Sequence, residues 1–488
     1  MIQKHKRSDF TRGLGRWLAA AALVFSTAVS FGQSSDALID KLVQKGILTE
    51  KEGNDLREEA DKDFNRAYSE KSGMPEWVRS MEIGGDLRLR YEGFFSDASF
   101  RTGPTNTAKF QDKNRFRYRL RFGVKANLTD DLEAAFRIST GEPVGNYGGN
   151  PLSGNQTFKG DSSQNSVWIN QAYGKWSPLK GPGVTGSVMA GRFDNPFQIA
   201  LNDEMMFDPN WTPEGAVVQA GYEFNDQQSL KALAGAYLLN DEPNSDHDPY
   251  MLVGQVRWDA TWTKKISSSV GVGTVFLENS SYLTNNSVPN VNGGNTRNGL
   301  GQLVYDYRPV EVDATVTYML DSFPLYKGQF PVRVGGTYMK NTAEPSATKS
   351  QPADSDFYGW SAGAALGKAG KRGTWEVKYT YRWLGADAWF EEVTDNDFGA
   401  LYWQTPDSYG AGGSFPGFNA TPGSTSNPNN SYFIPGTNIK GHIVRFAYSP
   451  TDACTVALKW MLTDLIRSYP PHADSTVSHF IVDATLKF

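Results

Sequence analysis

The sequence predicts an all-β barrel that crosses a membrane. Three observations predict it: strict period-two alternation from residue 82 onwards, loops sorted by length, and an apolar terminal strand ending in Phe488. The 488 residues carry a net charge of −5, with 21% charged residues. That balance is too ordinary for a nucleic-acid binder or a disordered tail. Mean hydropathy is negative, which excludes a multi-span helical membrane protein, since each helical span needs about 20 mostly apolar residues. Aromatics at 13% and 49 glycines suit many strands and turns.

The chain opens on an export signal, expected to occupy 1–32. Lys4, Lys6, Arg7, Arg12 and Arg16 form a basic start, and residues 17–31 form a short apolar core ending in small residues. Ser30-Phe31-Gly32 before Gln33 is a plausible cleavage site, with Ala28-Val29-Ser30 as the alternative. Removing five basic residues and one acid from 48 and 53 leaves 43 against 52, a net of −9. With only Cys454, the exported chain forms no internal disulfide.

Residues 33–81 read as a periplasmic helical hairpin and linker. Ser34 or Ser35 can cap a first helix carrying Leu38, Ile39, Leu42 and Val43, which Gly46 ends. Thr49 and Glu52 form a capping box for a second. Two readings stand: a small hairpin outside the main fold, or an oligomerisation or cell-wall contact. Short helices bury little surface on their own.

Residues 82–488 read as the barrel. In Asp86-Leu87-Arg88-Leu89-Arg90-Tyr91-Glu92 apolar and charged residues alternate, and 115–122 repeats this with four arginines. Alternation puts one face in an apolar medium and the other in a polar one. Strands are expected near 82–95, 114–126, 132–140, 167–176, 184–193, 214–224, 229–239 and 250–262. Eight more follow near 266–277, 310–319, 331–341, 356–367, 373–384, 439–449, 452–463 and 477–488, about sixteen in all. Short turns follow the even strands and long polar loops the odd ones, the longest near 385–438. Short turns on one side, long loops on the other and an even strand number mark an outer-membrane barrel. In the last strand Phe480, Val482, Ala484, Leu486 and Phe488 share a face. Such an end looks like the signal read by the barrel-assembly machinery. Trp168, Trp176, Trp258, Trp262, Trp375, Trp383 and Tyr448 lie near strand ends, as interfacial girdles require.

Several segments, in order, resemble the putative-porin family of Gram-negative outer membranes. They are Leu42-Val43-Gln44-Lys45-Gly46-Ile47-Leu48-Thr49, the arginine-rich second strand and Phe136-Arg137-Ile138-Ser139-Thr140-Gly141. Then come Ala190-Gly191-Arg192-Phe193-Asp194-Asn195-Pro196-Phe197, Thr212-Pro213-Glu214-Gly215, Asp395-Asn396-Asp397-Phe398-Gly399 and Lys440-Gly441-His442. The resemblance implies an outer-membrane barrel that passes small hydrophilic solutes, and similar porins are homotrimers.

Arg88, Arg90, Arg115, Arg117, Arg119, Arg121, Lys125 and Arg137 lie opposite the apolar face, so they are expected to line the pore. A charge on the lipid side costs roughly 2–4 kcal/mol near the midplane. Asp86, Glu92 and Glu133 can pair with some of them. In general porins the third loop folds inward; here, about 194–213, it would bring Asp203, Glu204 and Asp208, with Glu214 just beyond, as constriction acids. The alternatives are a structural ladder bracing the wall, a channel selective for anions or sugars, and a plugged barrel acting as adhesin or enzyme. The Gly359-Trp360-Ser361-Ala362-Gly363 match to a nucleophile elbow lacks the strand–turn–helix context. The run Gly367-Lys368-Ala369-Gly370-Lys371-Arg372-Gly373 lacks the ending of a phosphate loop. No catalytic residue, metal site or cofactor is expected, and no nucleic-acid partner.

Overall fold

The computed structural model describes residues 75, 77–96, 99–101, 107–109, 112–144, 148–242, 246–284, 287–289, 293–297, 301–343, 357–399, 436–467, 472–474 and 476–488. The expected signal at 1–32 and the hairpin at 34–67 lie outside them. The chain divides into two compact units, Met1–Arg79 and Ser80–Phe488. Apart from its first two residues, the barrel lies in the second.

Sixteen strands form a closed antiparallel barrel. They are β1 (Val78–Ser96), β2 (Lys113–Leu128), β3 (Leu132–Thr140), β4 (Val167–Gly181), β5 (Val184–Arg192), β6 (Glu214–Asn225), β7 (Gln228–Leu238) and β8 (Tyr250–Thr261). There follow β9 (Ile266–Glu278), β10 (Pro309–Leu320), β11 (Phe330–Asn341), β12 (Tyr358–Gly367), β13 (Thr374–Leu384), β14 (Ile439–Thr451), β15 (Cys454–Leu465) and β16 (Val477–Lys487). An extra two-residue strand, Gln156–Thr157, adds to β2 at Arg117 and Tyr118. Closure joins β1 to β16, with Asp86 opposite Lys487 and Ser96 opposite Val477. Gly85 sits at that seam, where an added Cβ would lie 2.2 Å from the Arg121 carbonyl oxygen, so only glycine fits.

The expected alternation is visible along β10: Glu311 and Asp313 are buried while Val310, Val312 and Val316 are exposed. Phe116, Leu120 and Phe122 on β2 are likewise exposed, as are Val218 on β6 and Val334 on β11. An apolar outer surface of this extent marks contact with lipid. Trp176, Trp262 and Tyr448 stand on it. Trp168 does not. The β3–β4 pairing shifts register between Arg137 and Ile138, which reverses the facing of the residues beyond it. Trp168 therefore donates its indole N–H inward to the Gly141 carbonyl at 2.9 Å.

The nucleophile-elbow match lies inside β12, hydrogen-bonded to a neighbour on each side, with no following helix. The basic run 367–373 forms the short turn into β13.

Inside the barrel the loops fold inward and build a core of their own. Phe193, Met205, Met206 and Trp211 pack with Tyr237, Trp389, Phe390 and Phe398, all buried. The loops after β9 and β13 are clasped by Arg297 and Glu391, 2.6 Å apart and both without exposure. Val218→Arg is expected to cost about 2–4 kcal/mol in denaturant unfolding from lipid vesicles. Gln219→Arg, on the opposite face of the same strand, is expected to cost far less; equal losses would contradict the assignment of faces.

Candidate functional site

Three elements build the site: the arginine-bearing strands β1 and β2, the loop 193–213, and the wall formed by β13 to β16. On β1, Arg90 grips Asp483 of β16 through Nε at 2.7 Å and Nη2 at 2.8 Å. These residues are register partners, so the barrel's closure itself sets the pair. Its Nη1 donates to Asp397 at 2.9 Å and to Glu92 at 3.2 Å. Glu92 has no exposure and also takes Arg115 and Arg117. Asp86 accepts from Arg119 at 2.9 Å and Arg121 at 2.6 Å. Arg137 pairs with Asp194 at 2.7 Å, and Lys125 with Glu82 at 3.0 Å. Glu133 accepts from the Tyr173 hydroxyl instead of an arginine. Arg88 donates to Asn155 at 2.6 Å, while its Nε is buried without a partner among the described residues.

The loop 193–213 crosses to the far wall. A short turn, Ala200–Asn202, holds Leu201 and Asn202 at positive φ, which aims their carbonyls at Lys378 of β13. The Leu201 amide donates to Thr315 of β10 at 3.3 Å. Asp203 then meets Arg382 of β13, whose other nitrogen donates to Asp395 at 2.9 Å. The Arg382 guanidinium also lies over the Phe398 ring, 4.5 Å from its centroid. Glu204 pairs with Lys459 of β15 at 3.4 Å. Asp208 accepts from the Asn210 backbone and side chain and from the Asn396 amide. Glu214 is exposed and pairs with Arg192 at 2.8 Å. Burial pushes the Asp203 carboxyl up, yet Arg382 and Lys378 outweigh it and hold it below its ordinary value. Asp208 has no ion-pair partner among the described residues: burial, with Asp395 and Glu204 close by, pushes it well above the usual carboxylate range.

Different stretches of this loop border two cavities. Pro196 and Gln198 face one of about 420 Å3 with Lys175, Lys231, Gln255 and Arg257. Asn202, Asp203, Glu204, Asp208 and Asn210 face another of about 410 Å3. Arg88, Arg90, Arg119, Arg121, Lys378, Arg382, Arg445 and Lys459 border the second, against five carboxyls, Asp397 and Asp483 among them. Arg115, Arg117, Lys125 and Arg137 stand outside it. Asp203 and Glu204 thus share that cavity with Arg88, Arg90, Arg119 and Arg121 of the ladder, while their direct ion pairs are with Arg382 and Lys459 on another part of the wall. Sequence reading missed those two cations, although Lys459 between Leu458 and Trp460 shows the same alternation as the ladder.

Residues 96–279 match the model of the putative-porin family. The match runs from the last residue of β1 through β9, and the resemblance read in the sequence is borne out there. Among solved structures, the high-pH structure of Pseudomonas putida OprB is similar at 10% identity and a TM-score of 0.47. The likeness covers 84% of this chain and 94% of that one. A loop-deletion mutant of OmpT, an outer-membrane protein of Vibrio cholerae, is similar at 10% identity, covering 84% and 99%, with a TM-score of 0.40. A double mutant of Rh. blastica porin reaches 8% identity, covering 84% and 100%, with a TM-score of 0.38. No curated protein sequence matches the chain.

Arg382→Met takes the nearest cation from the buried Asp203 and Asp395 carboxylates and leaves them only the more distant Lys378 and Lys459. It is expected to cost about 3–5 kcal/mol in unfolding from lipid vesicles. Adding Asp203→Asn and Asp395→Asn is expected to restore much of that loss; an Arg382→Met variant as stable as wild type would contradict the pairing.

Proposed function

We propose that the chain is an outer-membrane porin through which small hydrophilic solutes or ions diffuse passively, past a wall lined by arginines. The observation that carries this reading is the reversal of polarity across the barrel wall. Apolar residues cover the outside, while eight cations and five carboxyls border one inner cavity. A ring of charge in water-filled space sets ion preference. With cations in excess at that cavity, the lumen favours anions.

On this reading the chain is a channel and not an enzyme. The signal peptide carries it across the inner membrane, the short turns face the periplasm, and the strand ending at Phe488 is read by the assembly machinery. The association into trimers belongs to the same proposal. A solute-selective channel is the second reading, favoured by the inward packing of 193–213 against 385–399. Narrow lumens with many hydrogen-bonding groups bind what they pass, and current that saturates with one solute would identify that case.

The test is planar-bilayer recording in a salt gradient. Discrete ohmic steps with an anion-preferring reversal potential are expected. Arg88→Gln with Arg121→Gln is expected to move the reversal potential towards cation preference. A folded barrel that never conducts would overturn the channel, and an unchanged reversal potential in the conducting double variant would overturn the arginine wall alone.

A further inference from the structure

The short-turn rim of the barrel is electrically two-sided. Its turns after β2 and β6 carry Asp130, Asp131 and Asp226, with Glu223 beside them and Lys180, whose amine donates to the Asp130 carbonyl, as a cation among them. The turns after β8, β10 and β12 carry Lys264, Lys265, Lys327, Lys368, Lys371 and Arg372, all exposed. Of their side chains only that of Lys265 is ion-paired among the described residues, to Asp321 at 2.6 Å, and the Arg372 backbone amide donates to the Asp452 carboxylate at 2.8 Å.

This basic arc is braced. The turn after β10 lies against the start of β13 through rings: Phe323 stacks on Phe330 at 4.1 Å, and Phe330 meets Trp375 at 5.1 Å. The Trp375 indole donates to the Leu325 carbonyl at 3.0 Å, and the Tyr326 hydroxyl to the Lys368 carbonyl at 3.1 Å. Two neighbouring turns are thereby held as one plate with their cations on it. From its edge Leu325 projects, 93% exposed and at φ 59°. That conformation favours glycine, so a leucine there presents an apolar side chain at a conformational cost. Phe323 and Trp262 are exposed on the same arc.

Apolar side chains projecting beside unpaired cations, one or two residues from an apolar wall, match the boundary between acyl chains and headgroups. A soluble acidic partner would use the cations and leave Leu325 in water. We propose that this arc, from the turn after β8 to the turn after β12, binds the headgroups of anionic phospholipids in the leaflet that the short turns face. The phosphate meets Lys327, Lys371 and Arg372, and Leu325 enters the acyl region. The acidic arc offers no comparable cluster of cations, so the barrel carries a lipid-facing bias around its circumference. This inference rests on insertion in a membrane and is independent of what the lumen conducts.

The test titrates the full chain in detergent with phosphatidylglycerol or phosphatidylcholine and counts retained lipids by native mass spectrometry. Wild type is expected to retain phosphatidylglycerol in preference. Each cation near an anionic surface contributes about fivefold in affinity, so Lys327→Gln, Lys371→Gln and Arg372→Gln together are expected to weaken retention by about a hundredfold. Asp130→Asn with Asp226→Asn is expected to leave it unchanged, and inorganic phosphate at the same concentration not to displace the lipid. Should the triple variant fail to fold, as judged by heat-modifiable gel mobility, Lys264→Gln with Lys327→Gln gives the same reading. Equal retention of both lipids by wild type, wild-type retention by the folded variants, or displacement by free phosphate would each overturn the proposal.

Discussion

A single constraint organises this molecule: lipid on the outside leaves inward as the only direction for a charge on a strand. The consequence is a crowd of cations inside the wall, and an unpaired buried charge is among the costliest features a fold can carry. Carboxylates from the strands answer part of the demand, as Asp86, Glu92 and Asp483 do for the β1 and β2 arginines. The rest must come from loops. Arg382 shows this most clearly, because its two carboxylates, Asp203 and Asp395, lie on different long loops. One guanidinium thus draws both loops into the lumen, and the apolar residues beside those acids, Met205, Met206, Trp389 and Phe398, collapse into a shared core.

The strands were legible because their signal is local and periodic. Period-two alternation needs only neighbouring residues, and most expected strand bounds fall within two or three residues of those observed. The extension of β1 back to Val78 departs further, since Val78-Arg79-Ser80-Met81 shows no clean alternation. Trp168 departs from the girdle pattern for a comparable reason: a register shift in its pairing reverses the facing, and composition does not announce it. The site was less legible. Asp203 could be recognised as an inward acid, but Arg382, its partner, is 179 residues away in the chain. No periodicity links those positions; only the closed sheet does. The ladder on β1 and β2 was conspicuous because its arginines are consecutive inward residues, whereas Lys378, Arg382 and Lys459 are dispersed over two strands.

This arrangement alters the expected picture of a constriction. Acids of the crossing loop and arginines of the ladder border one cavity, yet each set has ion-pair partners of its own. On the proposed reading, local neutralisation leaves Arg88 and the excess of cations around the second cavity as the groups that meet a solute. Selectivity would then arise from imbalance inside a paired network, with the crossing loop fixing which cations stay available. The rim repeats the theme at a different depth, where unpaired lysines meet a boundary that itself carries charge.

Residues 193–213 span the lumen to reach β10 and β13. Cysteines at Leu201 and Thr315, in a Cys454→Ser background, test it directly when treated with a short bifunctional thiol reagent in the membrane. Rapid bridging is expected, seen as a gel shift, with single-channel conductance unchanged because the loop already rests there. Failure to bridge, or bridging that abolishes the current, would contradict it.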